Sequence, residues 1–336
     1  MHPLDSLNEA QRAAAAHTEG AVLIFAGAGS GKTRVLTYRV AHLLHERLAQ
    51  AHEILAVTFT NKAAGELKTR LADIVGPQSA GLWVGTFHSI GVRILRRDGA
   101  AVGIAPNFVI YDEGDQRQLI REILRELNLD EKHFAAGSLM NQISRAKERC
   151  LSPDAYANSS DGRLATTVGA VYREYQRRLT VANAVDFDDL IMRTLALVEH
   201  DAGAAWRERF RYLLVDEYQD VNEAQYRLVR ALSRGSGNIC VVGDDDQSIY
   251  AFRGADHRII LRFERDFPGA AIFRLERNYR STGPVLEAAN AVVSHNTQRH
   301  PKKLWTSREG GRPIRVYEAS NERDEARFVV NAIRAG

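Results

Sequence analysis

The sequence predicts an α/β protein built on a parallel sheet. Three observations carry that expectation. Short, almost wholly apolar runs recur along the 336 residues, each followed by polar or glycine-rich residues and then a helical pattern. The runs lack polar alternation, as expected of strands buried on both faces. The first of them leads into a glycine-rich turn and a helix, and folds of this class place their ligands beyond the carboxyl ends of the strands.

Six strands are expected in order: Ala21–Phe25, Ile54–Phe59, Leu82–Thr86, Tyr212–Val215, Ile239–Val242 and Ala271–Leu275. From about 90 to 185 the pattern changes. Asp115–Leu127, Ser138–Glu148 and Thr166–Leu179 have helical periodicity with no convincing strand between them, so a mostly helical insertion is expected there. Asp186, with Asp189 three residues on, reads as the N-cap of the helix returning to the sheet, a catalytic role being the alternative. After Gly254 a second, smaller α/β unit is expected. It has a helix entered through Pro284 and running to Val293, and a last helix from about Glu322 to Arg334. The Ala271–Leu275 strand is assigned to that unit. The expected organisation is a first domain of residues 1–90 and 186–270, an insertion of 91–185, and the incomplete beginning of a second domain at 271–336.

Composition excludes several classes. Apolar residues are 45% and charged residues 26%, so bulk disorder is not expected. A net charge of +3 is too balanced to argue for nucleic acid, though it leaves room for a local basic groove. Two cysteines, Cys150 and Cys240, support neither a disulfide framework nor a Cys-rich zinc module. No apolar run reaches membrane-spanning length, and the first residues lack a basic-then-apolar leader, so a reducing cytosol is expected.

The chemistry-bearing residues cluster after the strands. Ala26-Gly27-Ala28-Gly29-Ser30-Gly31-Lys32-Thr33 is a phosphate cradle: glycines let backbone N–H groups face a phosphate, and the helix N-terminus favours its charge. Lys32 reaches for the terminal phosphates and Thr33 is placed to ligate Mg²⁺. An acid is expected at the end of a neighbouring strand, and Leu213-Leu214-Val215-Asp216-Glu217 supplies it. Asp216 would hold Mg²⁺ and Glu217 would orient and deprotonate water. Gln247, beyond the next strand, can sense a γ-phosphate or its water without competing for the cation. Arg280 is read as an arginine finger from the second unit, whereas Arg277 reads as a surface charge. Basic residues with Trp305 among them, from Arg299 to Arg315, suit a strand-tracking surface and an ordinary solvated face equally.

In this order the motifs resemble the superfamily 1A DNA helicases of the UvrD, Rep and PcrA type, from Leu7 to about Gly336. They include Leu7-Asn8-Glu9-Ala10-Gln11, the phosphate loop with Ala26, Thr58-Phe59-Thr60-Asn61-Lys62-Ala63-Ala64 and Gly85-Thr86-Phe87-His88-Ser89. Asp216-Glu217-Tyr218-Gln219-Asp220, Gly243-Asp244-Asp245-Asp246-Gln247-Ser248-Ile249-Tyr250, Phe252-Arg253-Gly254-Ala255-Asp256 and Asn278-Tyr279-Arg280-Ser281 complete the set. The resemblance implies a RecA-like P-loop core using ATP and Mg²⁺. Gln11 would then read the adenine edge, with Arg34 and Tyr279 sandwiching the ring. It also implies single-stranded DNA contacts at Phe59, Asn61, Thr86, His88, Tyr250, Phe252 and Arg253, aromatic faces being able to stack on any base. Phe252 stands where several relatives carry Trp. Core roles for Phe59, Tyr250 and His88 are the alternatives.

The function so implied is an ATP-driven single-stranded DNA translocase and 3′-to-5′ helicase of repair or replication restart, acting on single strands or 3′-tailed duplexes in the bacterial cytosol. Repair or replication proteins are the expected partners. Relatives have more chain, so a portion ending within the second motor domain is expected. The alternatives are a nucleotide- and DNA-binding module without coupled unwinding, and the motor part of a larger helicase–nuclease.

Overall fold

The computed structural model describes residues 2–159, 163–297 and 299–335, without the side chains of Arg163 and Arg253. Its strands are β1 (Val22–Ala26), β2 (Ile54–Thr58), β3 (Trp83–Thr86), β4 (Val109–Ile110), β5 (Ala184–Val185), β6 (Tyr212–Val215), β7 (Ile239–Gly243) and β8 (Ala271–Leu275). The main sheet has the order β3-β2-β6-β7-β1-β8, and every pairing in it is parallel.

The apolar runs follow from the layering. Leu23, Phe25, Leu55, Val57, Leu213, Val215 and Val241 enter one hydrophobic core. Their neighbours Val22, Ile24, Ala26, Ile54, Ala56, Leu214 and Val242 enter the core on the opposite face. Successive side chains point to opposite faces, so a strand covered on both sides must be apolar at every position.

The helices begin with α1 (Glu9–Ala16), α2 (Lys32–His45), α3 (Asn61–Val75) and α4 (Phe87–Asp98). Then come α5 (Glu113–Glu126), α6 (Ala136–Glu148), α7 (Pro153–Ala157) and α8 (Arg163–Val181), within residues 91–185. The short strands β4 and β5 flank these helices and pair with each other. The insertion has its own core, including Ile120, Leu139, Val168 and Tyr172. After it come α9 (Phe187–Glu199), α10 (Ala204–Arg209), α11 (Glu223–Ser233), α12 (Arg258–Leu261), α13 (Phe263–Asp266), α14 (Gly283–Val293) and α15 (Glu322–Ala335).

Asp186 caps α9 as expected: its carboxylate accepts from Asp189 N, and Asp189 answers at Asp186 N. A feature not foreseen is Lys147 of α6, fully buried, whose ammonium lies 2.6 Å from Asp186 and 3.0 Å from Asp189. Burial lowers its pKa, but the two carboxylates outweigh that and hold it above the ordinary lysine range. The insertion is thus pinned to the returning helix by an ion pair.

Two expectations are corrected. The strand at 271–275, assigned from sequence to a second unit, is the sixth strand of the main sheet, with Val22–Ala26 in register against Ala271–Leu275. An edge position beside β1 explains why it is only partly buried. The strand carrying Asp216 is likewise not adjacent to the one carrying the phosphate loop, because β7 lies between β6 and β1. Two strand spacings, roughly 10 Å, therefore separate the two strands.

Candidate ATP site and aromatic cleft

The phosphate loop joins β1 to α2. Gly29 and Gly31 have φ of 71° and 93°, a left-handed region that favours glycine. A methyl group on Gly29 would lie 2.7 Å from both Arg280 Cβ and Asn278 Nδ2. The segment after β8 therefore lies directly over the loop. Asn278 Nδ2 donates to Ala28 O at 2.5 Å, and Tyr279 N donates to Gly29 O at 2.9 Å. Arg280 reaches this place from the segment that follows the strand beside β1.

Lys32 begins α2, and its ammonium meets Glu217 Oε2 at 2.8 Å, bridging the gap left by β7. Glu217 has φ of 50°, unusual outside glycine, which turns the chain sharply at the end of β6. Thr33 and Asp216 line the same cleft, bringing together the two residues expected to ligate a cation. Their oxygens suit a hard ion such as Mg²⁺. Burial pushes the Asp216 carboxyl up to about 6, with Glu217 adding to the rise and Lys32 opposing it. Gln247 donates its carboxamide N–H to Asp244 Oδ2.

The residues expected around an adenine gather at one corner. Gln11 is 2% exposed; its Nε2 donates to Ser30 O at 3.0 Å, and its Oε1 closes the cap of α1 at Asn8 N. Asn8 Nδ2 donates to the Tyr279 hydroxyl at 2.6 Å. Arg34 bonds Ser6 and lies over the Tyr38 ring.

Beside the Lys32–Glu217 pair lies a cleft. It is lined by Thr33, Asp216, Glu217 and Gln247 together with Phe59 and Tyr250. Phe59 and Tyr250 stack with ring centroids 5.0 Å apart, and Phe252 follows at 5.9 Å from Tyr250. Neither Phe59 nor Tyr250 is a core aromatic, both being partly exposed, and Phe252 is 72% exposed. Asn61 is exposed at the start of α3. His88 is partly buried against Phe187, and burial lowers its pKa. Thr86 is buried and caps α4, accepting from Ser89 N, which already accounts for its residue type. The Arg253 side chain lies outside the described residues.

The residue-by-residue reading left several groups without a role. Gln219 Nε2 donates to Glu217 Oε2 at 2.9 Å, while its Oε1 accepts from Asp244 N at 3.0 Å. Asp220, whose carboxyl burial pushes up to about 6, accepts from the same amide. Asn278 organises the segment over the loop. Only the quoted motifs flagged these positions, since their partners are distant in sequence. Arg277 is not a free surface charge: it packs over Tyr279 and Trp305 and bonds Ser307. In the basic segment, Arg299 and Lys302 serve neither expected reading, because both are ion-paired to the Asp244–Asp246 run.

The description UvrD/REP helicase N-terminal domain matches residues 7–268, and UvrD-like helicase C-terminal domain matches 273–336. The chain belongs to the UvrD/REP helicase family. Its α/β architecture is the RecA-like core of these helicases. Proteins named ATP-dependent DNA helicase PcrA are similar throughout. That of Leuconostoc citreum is 48% identical over 333 residues, covering 98% of this chain and 44% of the relative. Those of Staphylococcus epidermidis RP62A and Staphylococcus aureus Mu50 are also 48% identical over 98% of this chain, covering 45% and 46% of the relatives. This UvrD/REP-family chain thus spans less than half the length of these curated relatives. Among its described residues, no helix is long and apolar enough to cross a membrane.

Proposed function

We propose that this chain is the ATP-hydrolysing motor portion of a helicase that moves along single-stranded DNA. The observation that carries the reading is the shared cleft: Thr33, Asp216, Glu217 and Gln247 of the phosphate site and the Phe59–Tyr250 stack line one cavity.

In this reading Lys32 and Arg280 neutralise terminal phosphate oxygens, and the N–H groups of the loop hold the remainder. Glu217 takes the proton of the attacking water, and Gln247 positions that water. Mg²⁺ held by Thr33 and Asp216 would supply charge neutralisation between phosphate oxygens. Gln11, Arg34 and Tyr279 receive the base. Phe59, Tyr250 and Phe252 stack on successive DNA bases, with Asn61, Thr86, His88 and Arg253 along the strand. Residues 91–185 form an insertion on the first motor domain, and a second motor domain begins after β8.

By its resemblance the protein moves 3′ to 5′, acts on single strands or 3′-tailed duplexes, and serves repair or replication restart with partner proteins in the bacterial cytosol. Steady-state ATP turnover, with and without single-stranded DNA at low and moderate salt, tests the reading. Strong stimulation by the strand supports a coupled motor. ATP binding without stimulation would favour a nucleotide- and DNA-binding module, and no ATP binding would overturn both.

A further inference from the structure

The three aspartates after β7 are held by one short segment from elsewhere in the chain. The Lys302 side chain is 4% exposed, and its ammonium lies 2.8 Å from Asp244 Oδ1 and 2.7 Å from Asp246 Oδ2 while also bonding Asp245. Arg299 grips Asp246 through two nitrogens, Nη2 at 2.7 Å and Nε at 3.0 Å. His300 N donates to Asp245 Oδ2 at 2.6 Å, and its ring stacks on Phe25 of β1 at 4.1 Å. Leu304 completes the contact: a methyl group on Gly27 would lie 2.5 Å from its Cδ2. Three adjacent carboxylates repel one another, so their enclosure requires cations, and Lys302 touches all three.

Asp244 is the junction. One carboxylate oxygen takes Lys302, and the other takes the Gln247 carboxamide. Its N–H donates to Gln219 Oε1, and Gln219 Nε2 donates to Glu217 Oε2. Polar contacts thus run unbroken from Lys302 to both groups expected to handle water.

We propose that Lys302 is a positioning residue for ATP hydrolysis: it fixes Asp244, and so, through its carboxylate, the Gln247 carboxamide and, through its N–H, the Gln219–Glu217 pair. The inference rests on the reading of the cleft as a hydrolytic ATP site. It makes the segment 299–304 a mechanical link to the chemistry, because displacing Lys302 frees Asp244 and with it Gln247.

The test uses the 336-residue chain with Lys302→Met. Turnover number is expected to fall ~10- to 100-fold, the cost of misplacing a catalytic group by about an ångström. Affinity for a fluorescent ATP analogue should stay within about twofold, since no phosphate or base contact is removed. Lys302→Arg should recover part of the rate. Adding Lys302→Met to Gln247→Ala should cost less than the product of the two single effects, because Lys302 acts in part through Gln247. Hydrogen exchange over 243–248 should quicken in Lys302→Met, a readout that needs no turnover. Unchanged turnover in Lys302→Met, fully multiplicative effects in the double variant, or unchanged exchange would each overturn the proposal. If Lys302→Met does not fold, Asp244→Asn carries the same expectations. A wild-type chain that binds ATP without hydrolysing it would overturn the hydrolytic reading, and the exchange experiment would still decide whether Lys302 holds the Gln247 loop.

Discussion

Lys32 Nζ and Glu217 Oε2 lie 2.8 Å apart although their strands are separated by β7. The lysine stem spans the gap and brings a phosphate-binding cation against the expected general base. Glu217→Gln keeps the shape and removes the basicity. Its turnover is expected to fall by ~10²- to 10⁴-fold with ATP still bound, and Lys32→Ala should abolish turnover with the fold intact. A wild-type rate in Glu217→Gln, measured at saturating ATP, would remove Glu217 from the role.

Asn278 holds the strap over the phosphate loop. Its Nδ2 donates to Ala28 O, and its Oδ1 accepts from Arg280 N and Ser281 N. The residue is 2% exposed, so Asn278→Ala leaves buried groups unpaired at a cost of about 1–3 kcal/mol. Thermal unfolding should shift down and KM for ATP should rise, because Tyr279 and Arg280 lose their anchor. Unchanged values of both would show that the strap is held by its other contacts.

Lys147→Met leaves Asp186 and Asp189 buried without their cation. Breaking such a pair costs about 3–5 kcal/mol. Chemical denaturation should show that loss, and hydrogen exchange should show α6 loosening from α9 before the main sheet opens. Exchange that quickens uniformly across the sheet would argue against a local role.

Asp188 shares a cavity with Phe59, His88, Lys147 and Glu148. Burial pushes its carboxyl up to about 7, with Asp186 adding to the rise and Lys147 opposing it. From about pH 4 to 7 the folded protein holds a proton that the unfolded chain has released. This group's contribution to stability therefore falls as pH rises through that window, and the loss is complete above it. Asp188→Asn removes the titration, so its gain in melting temperature over wild type should be larger at pH 8 than at pH 5. An equal difference at both values would contradict the shift.

Phe252 presents most of its ring to solvent beside the Phe59–Tyr250 stack. Phe252→Ala is expected to weaken binding of an oligo-dT strand by about 1–3 kcal/mol. ATP turnover without DNA should be unchanged. Anisotropy titrations that match wild type would place the strand elsewhere.

Much of this was legible in the residues. The two-sided burial of β1, β2, β6 and β7 shows as unbroken apolar runs, because a parallel sheet covered on both faces has no polar side to display. The phosphate loop declares itself through glycines and a lysine at a helix start, and the Asp186–Asp189 box through cap spacing. These signals are local: backbone conformation and period lie within a few residues of one another.

What lies between distant residues was not legible. Composition and order left Ala271–Leu275 free to begin a new unit, and only pairing with β1 made it part of the first sheet. Lys147 carried no signal of its own, and Lys302 sat in a basic segment with two equal readings, until the fold enclosed each among carboxylates. The sequence by itself determined the six strands of the main sheet, the Asp186 cap and the identity of the phosphate loop. Tertiary structure alone decided which charges meet, because the worth of a charge depends on the burial and partners the fold supplies.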